Sequence, residues 1–176
     1  MQKLPTHIEA MLRVNQAGEY GAVRIYKGQM DTLKKSPEHK TLADMKEQEE
    51  IHLQTFNEII VENNVRPTLL TPLWHIGGYL MGAVTGLMGE KAAHACTEAV
   101  ENVIEEHYTS QVEALKNDPH PRAREFADLF EQFKEEEIAH KNLAIQKGAS
   151  EAPFYKTLIH VVSFISKTAI ALSKKI

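Results

Sequence analysis

Apolar residues recur along this chain at the three-to-four-residue spacing of amphipathic α-helices. The valines and isoleucines do not alternate with polar residues, as they would in half-buried strands. Breakers such as Ser36-Pro37-Glu38 and the Asn117–Pro121 stretch divide the helical pattern into segments. The pattern therefore predicts an all-α fold with amphipathic helices over residues 6–35, 37–62, 90–116 and 121–146.

Two further segments are more apolar than these four helices. Residues 67–89 carry no formal charge and, at 23 residues, could span a bilayer by length alone. Their prolines, glycines and threonines predict that the segment does not span, while Trp74 and Tyr79 are typical of a membrane interface. Residues 152–175 combine apolar and lysine positions, a pattern that lets a helix lie in the interface plane. We predict that both segments face a membrane; the alternative is that both are core helices.

Composition narrows the class of protein. The 43% hydrophobic and 25% charged content is that of a folded globular chain, and we expect one domain over residues 1–176. The net charge of -4 and the lack of a basic stripe give no support to nucleic-acid binding. Cys96, the only cysteine, excludes an intramolecular disulfide. The first residues lack an apolar signal core and are not Arg-rich, which predicts a cytoplasmic or a processed protein.

The chemistry depends on two Glu-x-x-His units, Glu49 with His52 and Glu137 with His140. Residues three apart share a helix face, so each carboxylate and imidazole can reach the same ion. Glu19 and Glu101, on the helices that precede these units, complete a weak internal repeat. Four carboxylates and two imidazoles suit a pair of iron or manganese ions.

Positions along the hairpins support this grouping. Glu19 and Glu49 would lie roughly 25 Å and 20 Å from the first turn, at 1.5 Å of rise per residue. Glu101 and Glu137 would each lie roughly 27 Å from the second turn. Antiparallel hairpins would therefore bring the members of each pair close to the same level.

Other interpretations of these residues stay open at this point. A single Glu-x-x-His unit is most often a solvated surface pair, and Glu136 is also spaced to share an ion with His140. We interpret most of the neighbouring acids as an exposed face. An aromatic residue stands seven positions from each carboxylate, on the same helix face, where core packing alone could also place it. The acids are Glu47, Glu50, Glu98, Glu105, Glu135 and Glu136, and the aromatics are Tyr26, Phe56, Tyr108 and Phe130.

Several blocks of the sequence resemble the 5-demethoxyubiquinone hydroxylase family of ubiquinone biosynthesis. The resemblance runs from about Met11 to Ile176. Where eukaryotic members tend to have Asp-His and Asn, this chain has Asn15-Gln16 and Val23, which suggests a bacterial source. The matching blocks are Arg13 to Ala22, Glu49 to His52, Arg66 to Thr68, Pro72 to Trp74, Ala99 to Glu101, His107-Tyr108 and Glu136 to His140.

The resemblance implies a ferritin-like antiparallel four-helix bundle that holds two iron ions per chain. By the family pattern, Glu49 and Glu137 would bridge the irons. Glu19 with His52 would complete one iron, and Glu101 with His140 the other. Dioxygen would be the co-substrate, with NADH or another reductant as the electron source. Tyr108 and His107 are our hypothesis for a redox or proton relay; the alternative is that Tyr108 is an ordinary interior aromatic.

The implied reaction is hydroxylation of a polyprenylated methoxy-methyl-benzoquinol, the penultimate step to ubiquinone. Such a substrate implies a peripheral protein on the cytoplasmic face of the bacterial inner membrane, or on the matrix face of the mitochondrial inner membrane. Other ubiquinone-biosynthesis proteins and a second copy of the chain are candidate partners. Two rival functions are a ferritin-like iron-binding or ferroxidase protein and a non-catalytic membrane-associated scaffold.

Overall fold

The computed structural model describes residues 3–175, so the predicted domain's outermost residues 1, 2 and 176 lie outside it. The described residues form six α-helices and one short 3-10 helix, with no strand, which confirms the all-α class. The helices are α1 (Thr6–Thr32), α2 (His39–Glu62), α3 (Thr71–Leu87), α4 (Glu90–Leu115), α5 (Ala123–Gln146) and α6 (Tyr155–Ser173), with the 3-10 helix at Ala149–Glu151.

Helix α2 begins two residues after the proline expected to start it. Ser36 Oγ accepts a hydrogen bond from the backbone amide of Glu38 at 2.9 Å, which stabilises a turn before the helix begins. The same hydroxyl donates to Glu90 Oε1 at 2.6 Å and so connects this turn to the start of α4. The serine is therefore a capping residue of the turn rather than of the helix.

Two helical hairpins, α1–α2 and α4–α5, enclose the main core. Its largest fully buried apolar side chains come from all four helices and include three phenylalanines. Phe56 of α2 packs against Phe130 of α5, with 5.9 Å between ring centroids, so the hairpins meet through aromatic contact. This core includes Ile8, Leu12, Phe56, Leu115, Phe126 and Phe130.

Helix α3 packs against α1 at unusually short range, and glycine makes that approach possible. A Cβ atom on Gly82 would stand 1.9 Å from the carbonyl oxygen of Ile25. A Cβ on Gly28 would stand 2.2 Å from the carbonyl oxygen of Tyr79. Close packing against α1 therefore accounts for Gly78, Gly82 and Gly86 of this segment.

Helix α6 packs along α4. Tyr155 Oη donates to Glu98 Oε1 at 2.8 Å, and Val162 is buried against the core. Trp74 Nε1 donates to Ser173 Oγ at 3.0 Å, which joins the start of α3 to the end of α6. Within residues 3–175, none of the helices combines the length and apolar character needed to cross a bilayer.

Candidate metal centre

The six residues singled out as metal ligands converge inside the helical hairpins. Their side chains come from four different helices, and each residue is at most 5% exposed. The regular rise of each helix brings them level, as the counting of residues from the turns predicts. The set consists of Glu19 on α1, Glu49 and His52 on α2, Glu101 on α4, and Glu137 and His140 on α5.

The six side chains form two overlapping groups. One contains Glu19 and His52, the other contains Glu101 and His140, and both include Glu49 and Glu137. Within each group one nitrogen or oxygen atom per residue lies within 4.8 Å of all the others. Each group has the ligand types and the spacing to surround one ion, and the two shared carboxylates lie between the groups.

Both imidazoles turn Nδ1 toward the carboxylates. His52 Nδ1 lies 3.0 Å from Glu137 Oε1 and 3.6 Å from Glu19 Oε2. His140 Nδ1 lies 3.0 Å from Glu49 Oε1 and 3.3 Å from Glu137 Oε2. The arrangement therefore has an approximate two-fold relation between the half from α1 and α2 and the half from α4 and α5.

The electrostatics of the cluster fit a bound cation. Among the described residues, one oxygen each of Glu19, Glu49 and Glu101 and both oxygens of Glu137 are buried with no hydrogen-bond partner. Unpartnered buried carboxylates are strongly unfavourable unless a cation neutralises them. Burial, reinforced by the neighbouring Glu137 carboxylate, raises the pKa of Glu49 and of Glu101 well above the usual range. The cluster thus fits a metal site.

For His52 and Glu137, neighbouring groups of opposite charge stabilise the charged form against the effect of burial. Burial disfavours the charged imidazole, but the adjacent Glu137 and Glu19 carboxylates outweigh it and raise the pKa of His52 to about 11. Burial likewise disfavours the Glu137 carboxylate, but His140 and His52 lower its pKa to about 2. In the protein without metal, a protonated imidazole therefore supplies the positive charge that the carboxylates require.

Two tyrosines reach the cluster from the opposite hairpin. Tyr26 Oη on α1 donates to Glu101 Oε1 at 3.0 Å, and Tyr108 Oη on α4 donates to Glu19 Oε1 at 2.5 Å. Burial and the nearby carboxylates raise the pKa of both phenols well above the usual range, so both stay protonated donors. The predicted seven-residue spacing thus brings each tyrosine to the cluster, though to the other half of it.

The six residues of the cluster lie within the part of the chain that matches a known protein family. The family model described as "Ubiquinone biosynthesis protein COQ7" matches residues 6–173. The chain belongs to this family.

Curated relatives agree with that membership. The chain is 42% identical to the "3-demethoxyubiquinol 3-hydroxylase" of Rhodospirillum rubrum, covering 96% of this chain and 78% of that protein. It is 41% identical to the "NADPH-dependent 3-demethoxyubiquinone 3-hydroxylase, mitochondrial" of Dictyostelium discoideum, covering 96% and 77%. It is 38% identical to the Homo sapiens protein of the same name, covering 96% and 78%.

The neighbouring acids of this COQ7-family chain divide into two groups. Glu47, Glu50 and Glu135 are exposed, as expected of a solvated face. Glu98 and Glu105 are half-buried and pair with Tyr155 and Lys141. Fewer of these acids than expected are therefore exposed, because helices α5 and α6 cover part of the acidic face.

Glu136 departs furthest from that interpretation. Its Oε2 lies 2.6 Å from His52 Nε2, on the side of the imidazole that faces away from the cluster. It is therefore placed behind His52, on the other helical hairpin, and not beside His140 as its sequence spacing allowed. Gln48, which sequence reasoning missed, lies between Glu136 and His140. No spacing rule identifies an amide that contacts two residues on another helix.

His107 lies outside the carboxylate cluster, although Tyr108 next to it reaches Glu19. His107 Nε2 lies 2.8 Å from Gln111 Nε2, and Gln111 makes two amide hydrogen bonds to Asn15, each 2.9 Å long. The centroids of the His107 and Tyr108 rings are 6.4 Å apart. Among residues 3–175, His107 has no hydrogen bond to the cluster.

An apolar groove of about 540 Å³ lies beside the helices that carry Glu19 and Glu101. It lies among α1, α3, α4 and α6, and Ala17 and Gly18 of its wall immediately precede Glu19. Helices α3 and α6 also carry large apolar side chains that are 39% or more exposed. Those on α3 are Leu73, Ile76, Leu80, Val84 and Leu87, and those on α6 are Val161, Phe164, Ile165 and Leu172.

Proposed function

We propose that this protein is a di-iron monooxygenase that hydroxylates the ring of demethoxyubiquinol in the penultimate step of ubiquinone biosynthesis. The observation that carries the proposal is the meeting of six buried carboxylate and imidazole side chains in a chain of the COQ7 family. The names of the relatives supply the reaction type and the substrate. On this proposal the two hairpins form a ferritin-like four-helix bundle.

The proposed ligand set assigns a role to each residue of the cluster. Glu49 and Glu137 would bridge two irons, because both belong to each group of potential ligands. Glu19 with His52 would complete one iron, and Glu101 with His140 the other. Carboxylate and imidazole donors suit Fe²⁺. The chemistry that bound iron supplies is reductive activation of dioxygen for insertion into the quinol ring.

The reductant in this proposal is NADH or NADPH. Relatives from Dictyostelium discoideum and Homo sapiens carry "NADPH-dependent" in their names. The chain has no Gly-x-Gly-x-x-Gly fingerprint, so we propose no Rossmann-type nicotinamide site. Tyr108 would orient Glu19 and move a proton at its phenolic oxygen, with His107 as the second member of the proposed relay.

The substrate enters, in this proposal, through the apolar groove. Its wall reaches Gly18, so a bound quinol head would lie near Glu19 while the polyprenyl tail follows α3 and α6. The exposed apolar side chains of those helices would rest on a membrane surface, from which the tail would enter the groove. An apolar groove would also exclude water from the reacting ring.

Metal content and turnover together test the proposal. Protein purified from an iron-rich culture is examined by metal analysis and Mössbauer spectroscopy, then assayed for hydroxylation of demethoxyubiquinol with dioxygen and NADH or NADPH. We expect about two irons per chain and product formation. Glu137→Ala should lose most of the iron and the activity, while Glu135→Ala, an exposed neighbour on the same helix, should keep both.

Each rival function predicts a different result. Iron-loaded protein that oxidises Fe²⁺ with dioxygen but leaves the quinol unchanged would favour a ferroxidase. Folded protein that holds no iron, and tolerates Gln at Glu19 and Glu137, would favour a non-catalytic scaffold. Either result would refute the hydroxylase.

A further inference from the structure

The Nε2 atoms of His52 and His140, which face away from the cluster, are joined by a hydrogen-bond network through Glu136 and Gln48. His52 Nε2 donates to Glu136 Oε2 at 2.6 Å, and His140 Nε2 donates to Gln48 Oε1 at 3.0 Å. Gln48 Nε2 in turn donates to the same Glu136 oxygen at 2.8 Å. Glu136 thus contacts one imidazole directly and the other through a single amide.

The direction of every hydrogen bond in this network follows from Glu136. A carboxylate only accepts, so Gln48 must turn its NH₂ group toward Glu136 and its carbonyl oxygen toward His140. A carbonyl oxygen also only accepts, so His140 Nε2 must carry a hydrogen. The same holds for His52 Nε2 against the carboxylate itself. In the neutral form that binds a metal, both imidazoles are then left with an unprotonated Nδ1, which is the atom that faces the cluster.

The carboxylate of Glu136 is itself held in place. Gln132 Nε2 donates to its other oxygen, Oε1, at 3.0 Å. Gln48 and Gln132 lie on different helices, α2 and α5, so the carboxylate is fixed from both hairpins. Phe133 stacks on the ring of His52 with 4.0 Å between centroids, which fixes the plane of that imidazole.

We propose that Glu136 is the positioning residue that sets both histidines of the metal centre to bind through Nδ1, acting on His52 directly and on His140 through Gln48. The inference rests on the proposed function, because it concerns the ligands of the proposed metal pair. It also makes the two metal positions unequal. A carboxylate partner makes an imidazole a more basic ligand than an amide partner does, so the position of His52 and Glu19 binds a divalent metal more tightly.

Zinc-loaded protein tests the coordination directly, because Zn²⁺ is diamagnetic and binds the same donors. The sample is the full chain with ¹⁵N-labelled histidine, examined by long-range ¹H–¹⁵N correlation at each step of a Zn²⁺ titration. We expect two histidines with metal on Nδ1 and a slowly exchanging hydrogen on Nε2. The ring current of Phe133 identifies His52.

Substitutions then separate the direct contact of Glu136 with His52 from its contact with His140 through Gln48. Glu136→Leu should weaken both Zn²⁺ positions by about 10- to 100-fold, the range seen when partners behind metal ligands are removed. Gln48→Leu should weaken the His140 position while the His52 position stays within a few-fold of wild type. Glu136→Gln keeps an acceptor and loses the charge, so it should weaken the His52 position and leave Nδ1 coordination intact. Glu135→Leu, an exposed neighbour, is the matched control and should behave as wild type.

The outcomes distinguish this inference from the function on which it rests. A wild-type protein that binds no Zn²⁺ and no iron would refute the metal centre itself. Two bound metals with coordination through Nε2, or a Glu136→Leu protein that binds both ions as tightly as wild type, would refute the role of Glu136 alone. If Glu136→Leu failed to fold, the wild-type spectrum and the Gln48→Leu titration would still decide.

Discussion

Tyr108 on α4 donates its phenolic hydrogen to Glu19 on α1, across the interface between the two helical hairpins. The reverse contact, from Tyr26 on α1 to Glu101 on α4, is also present. Each hairpin therefore provides a phenolic hydrogen-bond donor to one carboxylate of the other hairpin, Glu19 or Glu101. Since both phenols are buried, each contact also fixes how the hairpins are positioned relative to one another.

Phenylalanine substitutions separate a relay from a positioning role. If Tyr108 takes part in proton or electron transfer, Tyr108→Phe should slow NADH oxidation at least several-fold and leave the iron content unchanged. Tyr26→Phe is the matched control, because it removes the equivalent hydrogen bond from the other half of the cluster. Iron content and steady-state oxidation rate are measured on both. Normal turnover of Tyr108→Phe would refute the relay, and equal losses of iron in both variants would reduce the tyrosines to positioning residues.

The partners in these contacts between the hairpins could not be predicted from the sequence. The seven-residue spacing places Tyr26 and Tyr108 on the same helix faces as Glu19 and Glu101, and the helical rise makes the ligands level. The partner of each tyrosine, however, depends on how the hairpins pack together, which spacing within one helix does not contain. Gln48 was missed for the same reason, since its two partners both lie on α5.

The glycine-rich segment illustrates a second limit. Its glycines argue against a membrane-spanning helix, yet the segment forms a regular helix because Gly78, Gly82 and Gly86 are buried against α1. Intrinsic propensity disfavours glycine in a helix interior by roughly 1 kcal/mol, and tertiary packing overrides that preference here. Only the structure identifies which glycines make close contacts.

Alanine substitutions in α3 test this packing. Gly82→Ala would place a Cβ 1.9 Å from the Ile25 carbonyl oxygen, so we expect the free energy of unfolding to fall by about 1–3 kcal/mol. Gly77 lies in the same helix, and a Cβ added there would meet nothing within 4 Å, so Gly77→Ala should raise the free energy of unfolding by up to about 1 kcal/mol. Urea denaturation measures both. Equal effects of the two substitutions would argue that α3 does not pack as described.

Membrane contact through α3 and α6 is tested by flotation with vesicles that contain anionic lipid, at low salt. Phe164 on α6 is 72% exposed, and Phe164→Glu should reduce the floated fraction several-fold, since it places a charge in the apolar face. Val61 on α2 is 76% exposed but lies outside that face, so Val61→Glu should float as wild type does. Wild-type protein that stays at the bottom of the gradient would refute membrane docking, whatever the variants do.

His107 provides a prediction about pH that is independent of the metal. Burial, and to a lesser degree the charge of Lys174, lowers the pKa of His107 to about 4. Gln111 accounts for the same preference in hydrogen-bond terms, since its NH₂ group faces Nε2 and favours the unprotonated nitrogen. In the unfolded chain the imidazole titrates near its ordinary value of about 6.5.

The sign of the effect follows from these two values. Between pH 6.5 and pH 4 the unfolded chain binds a proton at His107 that the folded protein does not, so acidification through this window lowers the free energy of unfolding. His107→Gln lacks that proton and should lose less stability between pH 7 and pH 4.5, by on the order of 2 kcal/mol. Urea denaturation at both pH values gives the difference, with His160→Gln as an exposed-histidine control. If His107→Gln and wild type lost equal stability, the half-buried His107 would not be held in its neutral form, and its place beside Tyr108 would need revision.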